Sequence, residues 1–553
     1  MKKRLISLLL ALGLATCCLT ACGDKDNSGD GDVAGTTTIR VGTYNGGLGM
    51  EWLRDAAKRF EQKYEGKSFA DGETGVVVKV VESQAGDMLA SRSLDRDVYL
   101  TEAVDYYYLQ GQGKLADISD VVTASLSAYG EETTIEQKLD SVDSSLSDFL
   151  TAKDGKYYAI PFYEGFHGFI YDADMFEANS WFLDENGNFT AKNKSKGIDG
   201  KAGTYDDGLP KTYAQFSKLI AEIRKDSVTP FVYSTESMDY FIKALACYWS
   251  DYEGKEKMQR NWSLEGEINV VSGFDNNDNP IIESKTITSA DMRELQKQPG
   301  KYYALKFLKE VVMSSGQNYE SATDFKAAQL QLIQSCLDGE NQEGAVAMII
   351  DGSWFENEAD LALTFDLVSA LDMREGIEDQ EYKKTRRLGF MPVPMVDESE
   401  ETFASGSKNA DGTHRQTLVS ANDSFCFINA GTKGGKLEAS KEFLKFLHTE
   451  AELSKFTERT SITRPYDYTV SKSARDGMSY FGRTLLEMKE SSDIVYPYSS
   501  NATYVSNSAQ FLLGTWGWRS RVGDSTAINP FSHFRANGTT SARTYFEGLY
   551  KAH

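Results

Sequence analysis

Between residues 38 and 101 the chain alternates short β-branched runs with an amphipathic stretch, and this alternation restricts the fold more than any other feature of the sequence. Thr38-Ile39-Arg40-Val41-Gly42-Thr43-Tyr44 reads as a strand, stopped by the turn formers Asn45-Gly46-Gly47. From Met50 to Phe60 the residues Trp52, Leu53, Ala56, Ala57 and Phe60 recur at helical spacing. Val76–Val81 is a second strand and Val98–Thr101 a third, each followed by a stretch that suits a helix. Strand and helix in alternation predict an α/β fold with a mostly parallel sheet. Such a sheet takes ligands beyond the carboxyl ends of its strands, which singles out the loops Tyr44-Asn45-Gly46-Gly47 and Thr101-Glu102.

The first residues read as an export signal. Lys2, Lys3 and Arg4 precede an apolar run from Leu5 to about Leu19, too short to span a bilayer comfortably. The run ends in Leu19-Thr20-Ala21-Cys22-Gly23, which resembles the bacterial lipobox, so residues 1–21 are expected to be a signal peptide and Cys22 a lipidated mature N-terminus. Residues 22–36 include Gly23-Asp24-Lys25-Asp26-Asn27-Ser28-Gly29-Asp30-Gly31-Asp32, polar and rich in glycine, and are expected to be a flexible tether. The body is then expected to stay at the cell surface, held by lipid on the outer face of the bacterial cytoplasmic membrane.

The formal charge of -23 becomes three units more negative when Lys2, Lys3 and Arg4 leave. That argues against nucleic acid or an anionic membrane as a partner of the body. Three cysteines remain beyond Cys22, namely Cys247, Cys336 and Cys426, widely spaced and odd in number, so no disulfide framework follows. Without a C-x-x-C pair and with 5 histidines in all, a Cys/His metal centre is not expected, and no cofactor is required.

Roughly 515 residues follow the tether, more than one hydrophobic core usually organises, so at least two lobes are expected. Asp154-Gly155-Lys156-Tyr157-Tyr158-Ala159-Ile160-Pro161-Phe162, followed by Gly168-Phe169-Ile170-Tyr171-Asp172-Ala173-Asp174-Met175-Phe176, resembles the family 1 extracellular solute-binding proteins, relatives of maltose-binding protein. Further matches follow in the family's order: Leu209-Pro210-Lys211-Thr212-Tyr213, the run Ala345 to Trp354, Gly389-Phe390-Met391-Pro392-Val393-Pro394, Phe427 to Thr432 and Ala439 to Leu447. Their shared order from about residue 38 to 470 is more specific than any one of them. Segments around 179–208 and 253–300, and the stretch after 470, have no counterpart in the family.

The resemblance implies a two-lobe, type II periplasmic-binding-protein-like fold, with mixed, mostly parallel sheets flanked by helices and hinge strands between the lobes. It implies residues 37–162 and 416–462 in lobe 1, and 163–415 and 463–553 in lobe 2. It also implies a monomer that captures a sugar or oligosaccharide by lobe closure and passes it to ABC transporter permease subunits, with binding and no chemistry.

A sugar offers a C-H face and a rim of hydroxyls, so its binders pair aromatic platforms with acids and amides. The resemblance assigns Trp354 as a cleft tryptophan, with Gly352 letting backbone approach the ligand, and Glu164 as an acceptor of sugar hydroxyls near the hinge, with Tyr163 beside it. Packing between lobes, or a solvated or capping charge, are the alternatives. Tyr44, Asn45 and Glu102 are candidates by their place beyond strand ends, against ordinary turn or cap roles. The tail aromatics Tyr498, Tyr504, Trp516 and Trp518 include Trp516 as a candidate outer wall, although such stripes are more often core.

The segment 179–208 also carries Asp184, Asn186, Asn188, Asp199, Asp206 and Asp207, oxygen side chains among glycines that suit a structural calcium. Phe189 and Ser195 break the EF-hand pattern, and a turn-rich surface loop is the competing expectation. A surface-anchored glycoside hydrolase stays open as the alternative function, since acids are abundant, and it needs two carboxylates across a glycosidic bond.

Overall fold

The computed structural model describes residues 31–83, 94–102, 106–335, 344–372, 382–397, 406–420, 424–506 and 517–553. Twelve strands set the frame: β1 Thr37–Thr43, β2 Val76–Glu82, β3 Val98–Thr101, β4 Ile160–Pro161, β5 His167–Asp172, β6 Thr229–Ser234, β7 Tyr319–Ala322, β8 Val346–Gly352, β9 Leu388–Phe390, β10 Thr417–Val419, β11 Phe425–Ile428 and β12 Asp493–Val495. They build two 5-stranded sheets, in the orders β2-β1-β3-β11-β4 and β7-β6-β8-β5-β9, with β10 and β12 paired apart from both. The predicted strands at 38–44, 76–81 and 98–101 are β1, β2 and β3, shifted by no more than a residue.

The two sheets share one plan. In the first, β2, β1 and β3 run parallel, and β11 is antiparallel to both β3 and β4. In the second, β7, β6 and β8 run parallel, and β5 is antiparallel to both β8 and β9. One strand per sheet is thus reversed while the others share a direction. The reversed strand is in each case the first one laid down after the chain crosses from the other lobe: β5 follows β4, and β11 follows β10. A chain entering from the hinge side must run away from the cleft, whereas strands begun within a lobe run toward it.

The helix Glu51–Lys63 buries Trp52, Leu53, Ala56, Ala57 and Phe60, the five positions that periodicity placed on one face. Each large apolar side chain buried there contributes about 1.5–3 kcal/mol. Trp52 packs edge-on to Phe456 and Phe60 edge-on to Phe443, with Phe446 tilted against Phe60, so the helices Gly434–Leu447 and Glu450–Thr460 complete the first lobe.

The segments without a family counterpart also pack onto this frame. The hairpin Gly266–Phe274 with Pro280–Ile287 and the last helix, Ala542–Lys551, meet through Phe546, whose ring lies 5.7 Å from Tyr302 and 6.2 Å from Phe274. Trp518 is fully buried against Trp249. Tyr498 stacks on Phe149 of the first lobe at 4.6 Å, and Tyr504 meets the same ring. These three tail aromatics are core rather than platform.

The last residues of the expected tether are docked, Asp32 pairing with Arg40 at 3.0 Å and Lys436 at 2.9 Å. Cys247 and Cys426 are buried free thiols. No helix among the described residues is long and apolar enough to cross a membrane.

Candidate functional site

The carboxyl ends of β1 and β3 in one lobe, and of β6 and β8 in the other, point toward the same gap. From β1 come Tyr44 and Asn45, both exposed, with the Tyr44 ring folded over the next turn. A β-carbon on Gly46 would sit 2.2 Å from that ring, so any side chain at position 46 would displace Tyr44. From β3 comes the partly exposed Glu102, whose Oε1 accepts the Tyr163 hydroxyl at 2.6 Å. Tyr163 itself is buried on the crossing between β4 and β5.

Trp354 follows β8 and closes the gap from the second lobe. Its ring runs along Gly165 and Gly352, where β-carbons would meet it at 2.9 Å and 2.4 Å, so these two glycines are what let the indole lie on the crossing strand. Its Nε1 donates to the Tyr240 hydroxyl at 3.3 Å. Both rings pack edge-on to His167, with centroids 4.8 Å and 4.9 Å away. Across the gap, a β-carbon on Gly47 would lie 3.7 Å from Trp354 Cβ and 3.9 Å from Glu102 Oε1. The structure therefore brings Tyr44, Glu102, Tyr163 and Trp354 together around one opening, with Asn45 on its rim.

Electrostatically the opening is acidic. Loss of water, then the charges of Glu102, Glu358 and Glu82, hold the Tyr44 phenol above its ordinary range. Burial and then Glu102 hold Tyr163 well above its own. Both phenols stay protonated at neutral pH, as hydroxyls able to donate to a ligand or an acid. Burial, then Lys243, keep the His167 imidazole neutral. This arrangement offers aromatic faces, protonated hydroxyls and carboxylate acceptors, and it suits a neutral polyhydroxylated ligand.

Glu164 takes a different place. It is buried in the hinge, where Oε1 accepts the Thr463 hydroxyl at 2.6 Å, Oε2 accepts the Tyr496 hydroxyl at 2.7 Å, and Lys489 Nζ lies 3.3 Å away. Its backbone N–H is donated to the Thr463 carbonyl. The carboxylate ties crossing strands together instead of facing the opening.

The calcium candidates are placed as turn formers. Asp184 Oδ1 accepts the N–H groups of Asn186 and Asn188 at 2.9 and 2.8 Å, and Asp199 Oδ1 that of Lys201 at 2.7 Å. Asp206 Oδ2 accepts from Ile198 and Asp199 at 2.6 and 2.9 Å, and Asp207 Oδ2 from Gly203 at 2.7 Å. Burial pushes the Asp206 carboxyl up to about 6. Among the described residues no group of three or more His, Cys, Asp or Glu side chains is placed to hold a metal. Trp516 and Cys22 lie outside the described residues.

Tyr240, Glu358, Asp351 and His167 were not singled out from sequence as site residues. Glu358 stands four residues after Trp354, on the helix Phe355–Leu361 that follows it, so helical spacing alone put it near the tryptophan. Tyr240 follows β6, another strand whose carboxyl end reaches the gap.

No protein-family model and no curated protein sequence matches the chain. Solved structures do match in fold. The apo form of RafE from Streptococcus pneumoniae is 12% identical with a TM-score of 0.51, covering 94% of this chain and 98% of that one. The cyclic α-maltosyl-1,6-maltose binding protein from Arthrobacter globiformis is 13% identical with a TM-score of 0.50, with the same two coverages. At this identity the likeness is one of fold, and it is the two-lobe fold that the sequence motifs implied.

Proposed function

We propose that the chain is a sugar receptor: it captures a sugar or oligosaccharide between its lobes and releases it intact to an ABC importer. The observation that supports this most is the meeting of Tyr44, Glu102 and Tyr163 from one side with Trp354 from the other, at the carboxyl ends of strands from both sheets. A structure of the same fold is a binding protein for a cyclic maltosyl-maltose, which fits this reading. In it the chain is a family 1 solute-binding protein and a monomer, anchored through lipid on Cys22 at the outer face of the bacterial cytoplasmic membrane, with permease subunits as its partners.

The proposed work of each residue follows from its chemistry. The faces of Trp354 and Tyr44 cover C-H faces of the sugar. Glu102 accepts sugar hydroxyls while Tyr163 fixes its direction, and Asn45 on the rim exchanges both kinds of hydrogen bond. Glu164, with Lys489, Thr463 and Tyr496, keeps the crossing strands in register while the lobes move as units about them.

A thermal-shift screen over mono-, di- and oligosaccharides tests this. A ligand at a hundred times its Kd adds about 2.7 kcal/mol to native stability, so a true ligand raises the melting temperature by several degrees. A panel spanning the common hexoses, pentoses and their oligomers that leaves the melt unmoved would remove the sugar reading.

A further inference from the structure

The helix Phe355–Leu361 of the second lobe lies along the first lobe, and sugar binding does not account for that contact. Trp354, Asn357 and Leu361 follow one another at spacings of three and four, so they share one face of the helix. Each meets a different piece of the first lobe. A β-carbon on Gly47 would lie 3.7 Å from Trp354 Cβ, and one on Gly49 would lie 3.4 Å from Leu361 Cδ2. Between them, Asn357 Nδ2 donates to the Thr460 carbonyl at 2.7 Å. Gly47 and Gly49 have φ of +53° and +67°, which glycine adopts without strain, and their turn brings bare backbone up to the helix.

Two features mark this as a contact that forms and breaks. Thr460 is the last residue of the helix Glu450–Thr460, and a helix leaves its last four carbonyls without internal partners. Thr460 is buried, and a side chain from the other lobe serves its carbonyl. Beside that bond a cavity of about 410 Å³ lies between the lobes, with Asp55 and Arg59 on the first-lobe wall and Lys383 and Lys384 on the second. Leu361 remains 48% exposed even where it reaches Gly49. The lobes thus touch along a narrow line, and both the carbonyl and the amide can exchange each other for water at small net cost.

We propose that the face Trp354-Asn357-Leu361 is a seat between the lobes: it docks on the Gly47–Gly49 turn and the end of the helix Glu450–Thr460, and holds the cleft shut by protein contact alone. Asn357 and Leu361, outside the sugar site, set the balance between open and shut forms. A single hydrogen bond, or a partly buried leucine, shifts the closed-to-open ratio by roughly fivefold. A ligand that needs the shut form is held more weakly by the same factor when either contact is lost.

The inference rests on two-lobe closure, and small-angle scattering of the full chain, with no glycan added, tests it. The wild type should match the radius of gyration of the shut form. Asn357→Asp sets a carboxylate against a carbonyl oxygen and Leu361→Asp sets one against bare backbone, so each should expand the chain. Leu361→Met keeps an apolar side chain of similar reach and should stay compact. Leu363→Asp, two residues on and 55% exposed, controls for added charge and should leave the size unchanged. Leu361→Asp alters a half-exposed position, so it carries the test if Asn357→Asp fails to fold. A Leu361→Asp chain of wild-type size, or a Leu363→Asp chain that expands as much as Leu361→Asp, overturns the seat. A thermal-shift screen of the same proteins over the glycan panel keeps the two ideas apart. A chain that expands with Leu361→Asp but binds no sugar retains the seat and loses the sugar reading, while one that binds sugar and keeps its size in every variant loses the seat alone.

Discussion

Replacing Lys489 by Met tests whether the hinge is held by a buried ion pair. The ammonium lies 3.3 Å from Glu164, with side-chain exposures of 19% for the lysine and 0% for the glutamate. Burial alone would lower the Lys489 pKa, yet the charge of Glu164 lifts it above its ordinary value, so the ammonium stays charged at neutral pH. Removing one member of a buried pair costs about 3–5 kcal/mol, because the other is left charged in a dry site. Glu164 would keep the Thr463 and Tyr496 hydroxyls, which places Lys489→Met at the lower end, about 3 kcal/mol. Glu164→Gln leaves a partly exposed lysine that reaches water, and should cost about 1–2 kcal/mol. The double variant should recover at least ~1.5 kcal/mol relative to the sum of the single changes.

Urea unfolding with the slope held constant reads all three. A loss under about 1 kcal/mol in Lys489→Met, or strict additivity in the double variant, would refute the ion pair as the brace of the hinge.

Trp354→Ala should weaken sugar binding by about 2 kcal/mol, roughly thirtyfold by calorimetry, and cost about 3 kcal/mol of stability, since the indole spans Gly165, Gly352 and His167; Trp354→Phe should restore part of both. Asp351→Asn should raise the melting temperature at pH 8 and leave it unchanged near pH 4. The folded state holds the Asp351 carboxyl above its unfolded value through burial, so a penalty absent at low pH grows as pH rises through the folded value. Millimolar calcium, or a chelator, should leave the melting temperature within about 1 °C, because the acids of 184–207 already serve backbone N–H groups; a clear rise with calcium would return them as ligands.

Much of the frame was legible because periodicity reports burial directly. The β-branched run Val76–Val81 and the helical spacing of Trp52 to Phe60 gave elements that the structure places within a few residues. Strand direction was less legible: nothing in the composition of β5 or β11 marks them as the reversed strands, since direction is set by where the chain enters each lobe. The cleft was half legible. Trp354, Tyr44 and Glu102 lie beyond strand ends and could be placed by topology. Glu164 could not, because its partner Tyr496 is 332 residues away, in the stretch after 470 that the family pattern does not cover. Glu358 lies one helical turn beyond Trp354, where helical spacing places it.

Scattering of the chain with and without its best glycan, run beside an assay for new reducing ends, tests capture by closure most directly. The account predicts a smaller radius of gyration with ligand bound, and a glycan recovered unchanged after long incubation. A chain that keeps its size when saturated, or reducing ends that accumulate in proportion to protein, would contradict it.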